Sequence, residues 1–139
     1  NIRMGDPECQ VILPRLETDF LKIIDKAVNN NLKKLKIKWR KQKCMTIVLC
    51  SKGYPGKYEK NRLIQNIKKI KLNKNEFIFH AGTKSKNGKV YSNGGRVLNI
   101  SSMGNNFKKI RENIFKIIKK ISWRFGFFRK DIGWKVIKK

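Results

Sequence analysis

Residues Cys44 to Cys50 place Cys44, Thr46, Val48 and Cys50 in alternation with Met45, Ile47 and Leu49, so a strand built on them is apolar on both faces. Such a strand must be covered above and below. One cover is written further along the chain. Asn105 or Asn106 can cap a helix in which Phe107, Ile110, Ile114, Ile117, Ile118 and Ile121 share one face, with lysines on the other. The 139 residues are 40% hydrophobic, enough for one folded domain or for pieces of two, and this argues against disorder. The apolar stretch from Cys44 to Cys50 is far short of the ~20 residues that span a bilayer, so no membrane partner is expected. Three cysteines, Cys9, Cys44 and Cys50, with His80 the single histidine, build neither a disulfide framework nor a Cys/His zinc site. Reduced thiols and a cytoplasmic location are the expectation.

Around this centre the pattern predicts an α+β arrangement with antiparallel strands and one long amphipathic helix. Asn1 to Met4 read as the end of a strand and Gly5 as a turn. Asp6-Pro7-Glu8 read as a helix start, since Asp caps and Pro suits the first helical turn. That short helix is expected to close before Pro14. Thr18 is expected to cap a second helix over residues 19–29, where Phe20, Ile23, Ile24, Ala27 and Val28 recur at helical spacing with one stripe in a core. A change of domain is expected near Leu32 to Ile37, giving units over residues 1–34 and 35–139. Ser51 to Gly56 form a turn-dense loop, and a short helix is expected near Asn61 to Ile67. Glu76 to Ala81 and Arg96 to Ser101 read as strands. Lys86-Asn87-Gly88-Lys89 is a hairpin turn returning through Val90 to Ser92. Trp123 to Ile137 reads as turn and strand.

The charge invites a nucleic-acid partner, since 35 Lys and Arg against 9 Asp and Glu give a net charge of +26. The kind of base argues otherwise. Lys outnumbers Arg 27 to 8, and Lys, Ile and Asn together make 59 of 139 residues, the three types encoded by A/T-rich codons. Mutational drift produces this pattern while sparing Arg, the residue that forked phosphate and guanine contacts prefer. The lysines are scattered through every segment, without a run of stacking aromatics. No specific nucleic-acid partner is expected, and a small Lys-rich nucleic-acid-binding protein is kept as the alternative.

Chemistry from residue types alone is sparse. His80 inside a strand suits a hydrogen-bonded structural role, and nine scattered carboxylates order no triad with it. The Ser51 to Gly56 loop lacks the frame of a P-loop. Gly94-Gly95-Arg96 is the better anion candidate, two glycines allowing close backbone approach and Arg supplying a planar fork; hairpin geometry explains it equally well. Asp6 and Glu8 stand out in so basic a chain, with helix capping as their plain reading.

Asn1-Ile2-Arg3-Met4-Gly5-Asp6-Pro7-Glu8-Cys9-Gln10 resembles the Asn-x-Arg-Phe-Gly-Asp-Pro-Glu-x-Gln signature of the glycinamide ribonucleotide synthetases, also called phosphoribosylamine-glycine ligases, of the ATP-grasp class. Met4 departs from the usual Phe but fills a similar apolar slot. The likeness continues through Pro14-Arg15-Leu16, Ser51 to Gly56, His80-Ala81-Gly82-Thr83, Asn93 to Leu98, and Arg129-Lys130-Asp131-Ile132-Gly133. Family proteins are about three times this length. The resemblance therefore implies a final third, with residues 1–34 the helical end of an ATP-grasp domain and residues 35–139 the C-terminal domain. The opening at Asn1, within a strand-turn-helix passage, gives the same expectation of sequence upstream.

The resemblance also implies an activity: joining glycine to 5-phosphoribosylamine with ATP through a glycyl phosphate, in purine biosynthesis, with Mg²⁺ or Mn²⁺ on the ATP phosphates. It makes Asn1 an amide metal ligand, with a carboxylate partner two residues upstream, outside this sequence. It places Arg3 and Asp6 as catalytic residues, Arg3 offsetting phosphate charge and Asp6 holding an amine or sugar hydroxyl, with Glu8 beside the same cleft. Gly94, Gly95 and Arg96, with Lys130, would contact nucleotide or substrate phosphate.

Overall fold

A computed structural model describes residues 3–137. Its centre is a four-stranded antiparallel sheet in the order β3-β6-β1-β7, built from β1 (Lys43–Ser51), β3 (Glu76–His80), β6 (Arg96–Gly104) and β7 (Gly126–Phe127). The doubly apolar strand is β1, and it lies inside the sheet, as its pattern required. Met45, Ile47, Leu49 and Ser51 are buried, while the alternate residues are half-buried. The neighbouring β6 is buried from Val97 to Met103 and runs antiparallel to β1, with Ile47 opposite Ile100 and Val48 opposite Asn99.

The amphipathic helix is α3 (Phe107–Lys120), started by Asn106, whose side chain accepts from the Lys109 N–H at 3.1 Å. Ile110, Ile114, Ile117 and Ile118 are its buried face, and they join Met45, Ile47, Leu49, Leu98 and Ile100 in one core. Each such side chain contributes about 1.5–3 kcal/mol through the apolar area it takes from water. A second, three-stranded antiparallel sheet has the order β2-β5-β4, from β2 (Leu63–Ile64), β4 (Thr83–Lys86) and β5 (Lys89–Ser92). Its β4-β5 hairpin turns on Asn87 at φ 49° and Gly88 at φ 71°, the left-handed pair that a two-residue turn needs.

The sheet's other face is partly covered by the N-terminal segment. Gly5 to Glu8 form a turn with a cis Asp6–Pro7 bond, and α1 (Cys9–Ile12) lies against β1 and β6. The chain continues through a 3₁₀ turn, Leu13–Arg15, to α2 (Phe20–Val28). Residues on either side of the expected domain change are hydrogen-bonded: Arg40 N–H donates to Arg15 C=O at 2.7 Å, and Glu17 N–H to Lys38 C=O at 3.0 Å.

Several expectations are corrected. Arg3 and Met4 are not in a strand; Asn1 and Ile2 lie outside the described residues. Asp6 caps no helix: Glu8 stands at the N-cap of α1 without a side-chain bond, because the Asp6 carboxylate is drawn off to β6. The short helix α1 does close before Pro14, at Ile12, and Pro14 then sits in the first turn of a 3₁₀ helix, where its missing N–H costs nothing. Asp19, not Thr18, caps α2, accepting from Lys22 N–H at 3.0 Å, while Thr18 Oγ1 accepts from Lys38 N–H. The stripe of α2 enters no core among the described residues; Phe20, Ile24 and Val28 are exposed. Around Asn61 to Ile67 the short strand β2 replaces the expected helix, since Ile64 is buried by pairing with β5. Trp123 to Ile137 is turn and the short β7, as read, but ends in a helical turn, α4 (Trp134–Ile137).

Candidate active site

Two segments 90 residues apart in sequence meet at Asp6. Arg96 begins β6, so its side chain leaves the sheet from a fixed backbone. Its Nη1 donates to the Asp6 main-chain oxygen at 2.8 Å and its Nη2 lies 3.3 Å from Asp6 Oδ2. The other carboxylate oxygen, Oδ1, accepts from Asn99 Nδ2 and from Gln10 Nε2, each at 3.2 Å. The carboxylate is therefore held by a guanidinium on one oxygen and by two amides on the other. It is still one-third exposed, so it faces solvent from a rigid seat.

The turn that presents Asp6 is tight. Glu8 folds back over Gly5 so closely that a β-carbon at Gly5 would strike its carboxylate. Gly94 and Gly95 serve packing here. A β-carbon on Gly95 would enter the Tyr54 ring, and Gly94 lies against Gly82. Their carbonyls accept from Ser51, Gly94 C=O from the hydroxyl at 2.7 Å and Gly95 C=O from the N–H at 2.8 Å. The Ser51 to Gly56 loop and the Gly94-Gly95 pair thus lock each other beside Arg96. Next to Pro7 opens a largely apolar cavity of 390 Å³, lined among others by Thr46, Val48, Cys50, Tyr54 and Phe128.

The expected site residues fall into three groups. Asp6, Arg96, Gly94 and Gly95 are brought together. Arg3 is exposed, donates to Met4 C=O at 3.3 Å and takes no part in the Asp6 contact. Asn1, the expected metal ligand, lies outside the described residues. Lys130 contributes its main-chain oxygen to Arg111, and Asp131 forms a two-bond pair with Arg129, whose guanidinium holds the Asp131 carboxyl below the usual carboxylate range. His80 is exposed and its Nδ1 shares a 3.0 Å hydrogen bond with Thr83 Oγ1, a local structural contact. Asn99 and the side chain of Gln10 received no role from sequence. The signal for Asn99 was present as a lone amide within the apolar run Val97-Leu98-Asn99-Ile100.

Among the described residues no three His, Cys, Asp or Glu side chains gather where a cation could sit. Both Asp6 oxygens already meet N–H donors, so this donor set does not fit a metal. Neither Cys44 nor Cys50 is activated as a nucleophile. Burial pushes the Cys44 thiol up to about 11, against a weaker opposing pull from Arg15, and burial raises Cys50 in the same direction despite Arg96. At pH 8 we expect Cys44 to react with iodoacetamide about a hundredfold more slowly than a free thiol, as timed by mass spectrometry. Because the folded value lies above the unfolded one, this protonated thiol favours the fold below about pH 9, and that contribution is lost as pH rises toward 11.

No helix among the described residues is long and apolar enough to cross a membrane. Residues 44–135 match the family described as phosphoribosylglycinamide synthetase, C domain. The chain is 45% identical to the phosphoribosylamine--glycine ligase of Fusobacterium nucleatum over 96% of its own length and 32% of the relative's. It is 42% identical to the enzyme of that name from Agrobacterium fabrum, covering 99% of this chain and 32% of the relative. For the chloroplastic phosphoribosylamine--glycine ligase of Arabidopsis thaliana the figures are 39%, 99% and 26%. The crystal structure of phosphoribosylamine--glycine ligase from Thermotoga maritima superimposes with a TM-score of 0.68 at 30% identity, over 94% of this chain and 32% of that one. The chain thus spans about a third of the bacterial relatives it matches, and with this fold and these matches it belongs to the phosphoribosylglycinamide synthetase family, of which it carries the C domain.

Proposed function

We propose that this chain is the closing third of a phosphoribosylamine-glycine ligase, which joins glycine to 5-phosphoribosylamine with ATP and releases ADP and phosphate. The observation that supports it best is the Asp6–Arg96 contact. It unites the opening signature with the Asn93 to Leu98 motif, so that two pieces of the family pattern far apart in sequence lie side by side. In this reading residues 1–34 are the end of an ATP-grasp domain, seated on the C-terminal domain through Asp6 and α1.

Asp6 would accept a hydrogen bond from the amine of a substrate or from a sugar hydroxyl, using the side of its carboxylate left open to solvent. Arg96 holds Asp6 in place, and its exposed edge has donors left for a substrate phosphate. Arg3, which meets no charged partner among the described residues, would offset the charge of an acyl phosphate as it forms. Gly94 and Gly95 shape the backbone there. ATP is a co-substrate whose Mg²⁺ or Mn²⁺ this sequence would meet at Asn1. The reading puts this chain in the cytoplasm, whereas the plant relative's name assigns that enzyme to the chloroplast.

The test is direct. A polypeptide that joins this chain to the preceding two-thirds of the family's length is expected to form glycinamide ribonucleotide, ADP and phosphate in stoichiometric amounts. The 139-residue chain alone is expected to form none. Failure of the joined polypeptide under the same conditions would refute the reading.

A further inference from the structure

We propose that Asn99 is a positioning residue for Asp6, its buried amide setting from inside the sheet where the carboxylate points. This rests on the reading of Asp6 given above. β6 lies between β1 and β3, and Asn99 is paired to Val48 on one side and Phe79 on the other. It is wholly buried, as are its neighbours Leu98 and Ile100. Strands on both sides fix its backbone.

An amide at such a position is costly. Asn99 Oδ1 is buried and meets no donor among the described residues, so half of the side chain is left unsatisfied. An apolar residue would fill the same slot without that cost. What the amide supplies is its Nδ2–H, which donates at 3.2 Å to the Oδ1 of Asp6, 93 residues away. The acceptor is a carboxylate, which makes this hydrogen bond stronger than one between neutral groups.

Gln10 reaches the same oxygen from α1, and Arg96 reaches the other oxygen and the main chain. These two come from a half-buried and an exposed side chain. Asn99 is the partner that is wholly buried. It is too deep to touch a substrate, so it acts through Asp6.

The experiment compares Asn99→Asp, Asn99→Leu and the double variant Asp6→Asn/Asn99→Asp in the joined polypeptide. Asn99→Asp keeps the shape of the side chain and exchanges its donor for an acceptor. Hydrogen exchange followed by mass spectrometry reads the peptide covering residues 5–12, and steady-state kinetics read each substrate separately. In Asn99→Asp we expect exchange across residues 5–12 to accelerate about tenfold with β1 unchanged. We expect kcat/KM for one amine substrate, glycine or phosphoribosylamine, to fall by about a hundredfold. Part of that fall is a raised KM for this substrate, with KM for ATP unmoved. A merely structural loss would lower kcat with the folded fraction and move no KM.

The double variant restores a donor-acceptor pair with its polarity reversed. It is expected to regain the exchange protection but not the activity, because residue 6 is then uncharged. Unchanged exchange in both single variants would overturn the proposal. So would faster exchange with all kinetic constants retained. If the unsubstituted polypeptide makes no product, the ligase reading falls, and the exchange measurements alone still decide whether Asn99 seats Asp6.

Discussion

Asp6→Asn in the joined polypeptide is expected to lower glycinamide ribonucleotide formation by about two to three orders of magnitude, the usual size of effect when one preorganised polar group at a reacting centre is lost. The substitution keeps the shape of the side chain and removes its charge. Arg96 then faces a neutral amide at its 3.3 Å contact, and Asn99 and Gln10 lose a charged acceptor. The fold should scarcely register the change. Asp6 and Arg96 are one-third and nearly one-half exposed, so their pairing is worth no more than about 1 kcal/mol. A thermal midpoint close to that of the unsubstituted protein, with the activity gone, is therefore the expected pair of results. A variant that keeps within about threefold of full turnover would remove Asp6 from the chemistry. Arg96→Lys should fall between the two, because a single ammonium cannot meet both the main-chain oxygen and the carboxylate as the planar fork does.

Ile114→Ala carries the largest expected loss of stability. Ile114 is fully buried at the centre of the α3 face, in the core that joins the helix to β1 and β6. Truncation removes three carbons from a packed site that cannot collapse around the gap, and the cost is about 3–4 kcal/mol. Against a total of about 5–15 kcal/mol for an ordinary domain, this leaves little margin. Urea denaturation should show a large fall in midpoint with the slope unchanged. Val28→Ala is the matched comparison. Val28 is three-quarters exposed on α2, and its replacement in the 139-residue chain should shift stability by no more than about 0.5 kcal/mol. Equal losses from the two substitutions would mean that α2 belongs to the core, against the structure described above.

The elements that sequence identified correctly are those whose pattern repeats over many residues. β1 was legible because seven consecutive positions carry its two apolar faces, and α3 because six apolar side chains recur at helical spacing behind an Asn cap. The β4-β5 hairpin was legible from Asn87-Gly88 alone, since few other residues tolerate two successive left-handed positions. The errors lie in short segments. Thr18 and Asp19 are both good caps, and the choice fell to Asp19 because Thr18 was claimed by Lys38, twenty residues away. β2 has only two residues, too few for any period, and pairing with β5 made it a strand. The site divides the same way. The motifs named Asp6, Gly94, Gly95 and Arg96, but nothing in their spacing assigned the two amides that hold Asp6.

What the sequence determined by itself was local: which stretches alternate or recur, which residues cap and turn, and which family signature opens the chain. What the tertiary structure decided was the use of the polar groups. Asp6 could have capped a helix, Arg96 could have stood free for an anion, and Asn99 could have been a flaw in a strand. Each of these depends on a partner about 90 residues distant, and a carboxylate settles with the donors that the packed sheet brings within about 3 Å rather than with those nearest along the chain. Local propensity at one residue is a matter of tenths of a kcal/mol, and three donors converging on one carboxylate together outweigh it.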